Sequence, residues 1–325
     1  MDVRLDYGEG HTEERIGIET LQSIKERCFI PVIFYTAVPH LVRDLENQVI
    51  RVVEKTQGLE CLLEVIRETL NTRLPSINRA LVRHLKKVQR EYMWDFVSVH
   101  WEELADRSDP TTLAYLLARR LALSLSESGV CELIQDLGGS PEKTGEKVHP
   151  VKYYIMPPVV NKPLAGDLYR GSVDGQDGYW VLLTPTCDIW QDKAERILLA
   201  FCRPLEDSKE YRKWLDRLPD PSKDVDNEFR KLLADGQSER YMFLPGAIKL
   251  PHLIVDFQQL VSVPYEQLTQ MERVASLDSP FAGKLLTRFV RYYGRQGAPD
   301  LDVDVITELL RNQLCCTEAA TAKEE

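Results

Sequence analysis

The stretch Ile30-Pro31-Val32-Ile33-Phe34-Tyr35-Thr36-Ala37 decides how the amino-terminal part of this chain is read. It is a short apolar run entered through a proline and closed by a threonine, the texture of a strand buried on both faces. Upstream, Gly17 to Glu26 carries Ile18, Leu21 and Ile24 at helical spacing. Downstream, Val49-Ile50-Arg51-Val52-Val53-Glu54-Lys55 is a β-branched strand that ends in lysine, and Leu59 to Arg67 is again helical. The order is helix, strand, strand, helix, with a hydroxyl ending one strand and an ammonium ending the next.

This arrangement resembles the second half of a response-regulator receiver domain, over about residues 1–70. The resemblance implies a partial flavodoxin-like α/β fold and a role for three residues. Asp2, in Asp2-Val3-Arg4-Leu5, takes the place of the phosphoacceptor, with Asp6 as the alternative. Asp2 fits the motif better; Asp6 has the more ordinary separation from Thr36. Thr36 would hydrogen-bond the phosphoryl group and Lys55 would pair with its charge. The receiver's first strands and their acidic pair do not precede Asp2 in this sequence, and the expectation is a late start. Mg²⁺ is then expected only if such an acidic pair belongs to the natural chain, because a phosphoryl aspartate needs a cation to neutralise its oxygens.

At 325 residues and 43% hydrophobic content the chain is long enough for two or three domains with real cores. A net charge of −10 argues against a nucleic-acid surface as its main business. The local basic run Arg79, Arg83, Lys86, Lys87, Arg90 sits opposite Leu81, Leu85 and Val88 and reads as a solvated helix face. Seven cysteines without a Cys-x-x-Cys pair suit a reducing, cytoplasmic compartment and disfavour a zinc site. Neither a membrane span nor a signal peptide is expected.

The organisation expected is a truncated receiver-like domain at 1–72, a helical segment at 73–136, a linker at 137–151, an α+β domain at 152–316 and a disordered tail at 317–325. The helical segment carries Ile77, Leu81, Leu85, Val88, Tyr92 and Phe96 on one stripe. Its aromatic run Tyr92 to Phe96, with His100 and Trp101, is expected to be buried. A homodimer through residues 75–126 is one expectation for it. In the carboxyl domain, strands are expected at 179–184, 196–202, 241–244 and 253–257, with a charged helical insertion at 207–235 and helices from Pro280 to Leu314. The strand texture resembles small SH3-like barrels, including those of PemK-type toxins, so a barrel-like or curved sheet is expected.

One candidate site lies there. Thr184-Pro185-Thr186-Cys187-Asp188 follows a strong strand, and Pro185 ends the ladder and exposes the next residues on a turn. Cys187 and Asp188, with Asp256 across the sheet, could form a nucleophile or a carboxylate pair. The competing reading packs Cys187 inward with Asp188 capping the turn. Phosphate-loop, dinucleotide-binding and nucleophile-elbow motifs are absent. The resemblance therefore implies a two-component phosphorelay protein, a phosphoacceptor or phosphate sink with a non-DNA-binding output, more an adaptor than an enzyme. Its partners would be a sensor histidine kinase or another signalling protein. Receiver proteins with such tails resemble members of bacterial anti-phage cassettes of the Detocs type. The alternatives are a receiver-controlled hydrolase or nuclease-like effector, and a scaffold with a vestigial receiver.

Overall fold

The computed structural model describes residues 1–3, 5–6, 12–13, 16–107, 110–125, 147–295 and 301–308, together with Gln135 and Arg311. The chain divides into two compact units, 1–146 and 147–325. The division falls within the stretch expected as a linker, most of which lies outside the described residues, as does the tail 317–325. Among the described residues no helix is long and apolar enough to cross a membrane.

In the amino-terminal unit β1 (Leu5–Asp6) and β2 (Thr12–Glu13) form a two-residue antiparallel pair, followed by α1 (Ile16–Arg27). Strands β3 (Val32–Thr36) and β4 (Ile50–Glu54) pair in parallel, Val32 opposite Ile50 and Thr36 opposite Glu54. The first residues extend this ladder. The Met1 amino group donates to the Ile33 carbonyl at 2.8 Å, and the Tyr35 N–H donates to the Met1 carbonyl at 2.9 Å. One residue bridging two positions of its neighbour in this way is the bonding pattern of a parallel pair.

Val3, Leu21, Val32, Phe34, Val42, Ile50 and Val52 form the core between these strands and α1. α1 comes so close to the first strand that only glycine fits at its second residue: a Cβ on Gly17 would lie 2.3 Å from the Asp2 carbonyl oxygen. Parallel neighbours need a crossover of about a dozen residues or more. Residues 37–49 supply it as two 3₁₀ turns, Pro39–Leu41 and Arg43–Leu45, where a receiver would carry a helix. After β4, α2 (Gly58–Asn71) returns across the sheet, and Arg51 reaches Glu68 at 3.3 Å.

α3 (Leu74–Glu91) runs into a π-helical turn, Tyr92–Val97, followed by α4 (Trp101–Arg107) and α5 (Pro110–Ser124). The expected burial of the aromatic run is corrected here. Tyr92 and Val97 are buried, but Trp94 is 69% exposed, Phe96 43% and Trp101 55%. The cause is the wide turn, in which the Ser98 N–H bonds the Met93 carbonyl five residues back. It shifts the phase of the helix and turns the apolar stripe outward. The basic side chains of α3 are exposed.

The carboxyl-terminal unit is built on one seven-stranded sheet, in the order β5 (Tyr154–Ile155), β11 (Glu272–Leu277), β6 (Asp167–Val173), β7 (Gln176–Leu182), β8 (Arg196–Pro204), β10 (Leu253–Pro264) and β9 (Tyr241–Leu244). Every pairing is antiparallel. The molecule is thus a mixed α/β protein, and the sheet is open: β5 and β9 are its two edges. Of the two expected forms, barrel-like or curved, the sheet is the open one, interrupted by register shifts between Val255 and Leu260 and between Arg273 and Ala275.

Both faces are covered, which is why the strands read as continuous apolar runs. Leu168, Val181, Ala200, Cys202, Met242, Val255 and Phe257 pack with Leu285 and Tyr292 of α10 (Phe281–Tyr293). Their alternates Tyr169, Trp180, Leu182, Ile197 and Leu199 pack on the other side with Ile189 of α6 (Thr186–Trp190) and Leu268 of α9 (Tyr265–Leu268). The insertion between β8 and β9 folds as α7 (Lys209–Leu215) and α8 (Lys223–Leu233). Phe229 and Leu232 of α8 lie against Leu205 and Ile254.

Candidate functional site

The first residues of the chain, bonded to β3 through Met1, run parallel with β3 and β4, so Asp2 and the carboxyl ends of the two strands share one edge. Asp2, Thr36 and Lys55 meet there. Lys55 Nζ ion-pairs with Asp2 Oδ2, and the Thr36 side chain lies beside the same carboxylate and helps to hold it ionised. The Val3 N–H donates to Asp2 Oδ1 at 2.8 Å. Thr36 is fully buried, and its Oγ1 accepts the Val38 N–H at 3.2 Å. Lys55 is held just past β4, where Glu54 and Gln57 bond each other's backbone reciprocally around a 3₁₀ turn. The phenol of Tyr35 donates to the Lys55 carbonyl at 3.4 Å.

The electrostatics follow from this geometry. Burial pushes the Asp2 carboxyl up, but the bonds from Lys55, Thr36 and Val3, together with the Lys55 charge, outweigh it and hold the group below its ordinary value. Asp2 is therefore an anion whose acceptor sites already have donors. Its side chain is 27% exposed and that of Lys55 45%, so the ion pair remains open to solvent at the edge. Chemically the edge sets a carboxylate beside a hydroxyl and an ammonium, and the last two are donors able to hold an oxyanion.

Among the described residues no group of three His, Cys, Asp or Glu side chains is placed to hold a metal ion, and the Asp2 carboxylate is ion-paired with Lys55. Asp6, the alternative acceptor, lies on β1 opposite Thr12, and its side chain is outside the description.

The residues singled out in the carboxyl unit are not brought together. Cys187 and Asp188 sit on α6, with the exposed Cys187 thiol 3.6 Å from Asp188 Oδ1. The Asp188 backbone carbonyl accepts the Lys193 and Ala194 N–H groups, closing the turn. Asp256 lies in another part of the sheet. Its neighbour Val255 faces Cys202, and Cys202 faces Tyr179, whereas the chain leaves β7 toward α6 beyond Leu182. Both Asp256 oxygens are taken by Arg240, at 2.7 and 2.6 Å. A facing carboxylate pair is thus not formed, because each acid has its own local partner. Cys202 is packed in the core, where burial pushes its thiol far up.

Two buried ion pairs of this unit had no signal in the sequence. Asp256–Arg240 is one. The other is Asp167, which accepts the Ser276 hydroxyl at 2.6 Å and the Leu164 N–H at 2.7 Å beside Arg273. Each joins charges distant in sequence, and only a lone acid beginning or ending an apolar strand hinted at them. No protein-family model matches the chain, and no curated protein matches it.

Proposed function

We propose that the amino-terminal unit is a receiver-like module of a two-component signalling protein, with Asp2 as its phosphoacceptor position and Thr36 and Lys55 as its phosphate-binding groups. One observation carries the reading: Lys55 and Thr36 converge on the Asp2 carboxylate at the carboxyl edge of parallel strands. In that place a phosphoryl group on Asp2 would inherit donors already positioned. The hydroxyl would follow the new oxygens and the ammonium would offset their charge.

The helical segment is the output on this reading. Leu59, Leu63, Trp94, Phe96 and Trp101 leave apolar surface on the helices 58–124, which suits protein–protein contact, a second copy through residues 75–126 included. The free cysteines Cys28, Cys61, Cys187 and Cys202 suit a reducing cytoplasm. A sensor kinase is the upstream partner this chemistry requires, and a defence cassette is a setting consistent with an output that does not bind DNA.

The test is phosphorylation with acetyl phosphate and Mg²⁺. Because Asp2 is ion-paired to Lys55 and the described residues place no group of three metal-ligating side chains together, the 325-residue chain is expected to take up no label. A chain extended by a strand–helix–strand segment bearing an acidic pair is expected to be labelled. Asp2→Ala should abolish that label and Asp6→Ala should not. Label surviving Asp2→Ala in the extended chain would sink the assignment.

A further inference from the structure

We propose that the carboxyl-terminal unit holds an oxyanion site at Arg203, on the sheet face shared by β8, β10 and β9, for the phosphate or carboxylate group of a small ligand. Arg203, Ile254 and Phe243 face one another across the three strands, and Tyr241 and Asp256 form the next row of the β9–β10 ladder. The guanidinium of Arg203 lies over the Tyr241 ring, 4.8 Å from its centroid, and Arg240 approaches the same ring at 4.8 Å. The ring fixes both guanidinium groups in place.

The two arginines differ in their charge partners. Arg240 donates both arms of its fork to Asp256. Arg203 has no hydrogen bond or ion pair among the described residues, and its buried Nε–H is without an acceptor. One other buried side-chain nitrogen shares that description, Nε of Arg273, but it lies 2.8 Å from Asp167 Oδ2, so its charge is answered. Asp256, in the Tyr241 row of the same face, is already engaged by Arg240.

Leaving a buried cationic donor unmatched is unfavourable, and native structures retain such groups where a water or an ion completes them. A guanidinium edge with free donors matches two oxygens of one phosphate or carboxylate. The residual positive charge here is local, in a chain of net charge −10, so an anion is drawn to this face against the general field.

The experiment uses the full chain with ¹⁵N-labelled arginine, titrated separately with inorganic phosphate and with acetate. The Arg203 Nε–H cross-peak is expected to shift and saturate with at least one of them. A stronger response to phosphate assigns the phosphate-ester class, and a stronger response to acetate the carboxylate class. Arg203→Lys keeps the charge but loses the fork, and should weaken binding about tenfold or more, read at the Arg240 Nε–H. Tyr241→Leu removes the ring that holds the fork and should weaken it as well. An Arg203 cross-peak that neither anion moves overturns the proposal. So does a folded Arg203→Lys protein that binds as tightly as the wild type.

Discussion

Lys55 and Asp2, 53 residues apart in sequence, form an ion pair at the edge of the amino-terminal sheet, with the buried Thr36 side chain beside the same carboxylate. An exposed pair of this kind contributes at most about 1 kcal/mol by itself.

The pairing makes the docking of the first strand sensitive to acid. Asp2 ionises below its ordinary 3.8 in the fold, so its contribution is present above the unfolded value and is lost as pH falls through the folded one. Amide exchange at Val3 and Tyr35 should accelerate across that acidic window. Asp2→Asn should exchange faster at neutral pH and show no such step. A step persisting in Asp2→Asn would assign the transition to another carboxyl.

Gly17→Ala should destabilise the amino-terminal unit by roughly 1–3 kcal/mol. The added methyl would meet the Asp2 carbonyl oxygen and, at 2.8 Å, the Val3 Cα, both backbone atoms that cannot rotate away. Thermal unfolding of the variant should fall while that of Gly283→Ala, where a Cβ meets nothing within 4 Å, should not. Equal behaviour of the two variants would contradict the close approach of α1 to the first strand.

Asp256→Ala should cost about 2–4 kcal/mol. It leaves the Arg240 fork unpaired and removes the acceptor of the Gln258 N–H, 3.0 Å away at the β10 register shift. Replacing both residues, Asp256→Leu with Arg240→Met, should recover much of the loss, since the orphaned charge goes with its partner. Denaturant unfolding of the wild type, Asp256→Leu, Arg240→Met and the double variant closes the double-mutant cycle. A single variant as stable as the wild type would show the pair to be inert.

The exposed aromatics of the π-helical turn should govern self-association. Trp94→Ser with Trp101→Ser should lower the apparent mass in sedimentation if residues 75–126 pair with a second copy, and leave the helix content by circular dichroism unchanged. A wild-type chain that sediments as a monomer at every concentration would remove the dimer reading and leave a different protein as the partner.

Local texture carried a good part of the fold. The proline-led run at Val32–Thr36 and the β-branched run at Ile50–Glu54 declare themselves as strands because buried parallel strands are apolar throughout. Tyr241–Leu244 and the start of Leu253–Pro264 are antiparallel, but they are visible too because both of their faces are packed. Two longer strands are not. Asp167–Val173 and Glu272–Leu277 mix charges with glycine or serine, and their Asp167, Arg273 and Ser276 are accepted in the core only because they bond one another. The turn Asp174-Gly175, with φ of 50° and 80°, joins β6 to β7 and was a hairpin signal in plain sight.

The sequence by itself determined which residue types stand at the ends of the buried strands: an acid at 2, a hydroxyl at 36, an ammonium at 55. Tertiary structure alone decided that they meet, since parallel pairing aligns the strands' carboxyl ends whatever the distance along the chain. It decided equally that Asp188 and Asp256 do not meet, that the sheet stays open, and that the aromatics of the π-helical turn face outward. Register and helix phase are set by packing over the whole unit, and a one-residue shift in either moves a side chain to the other face.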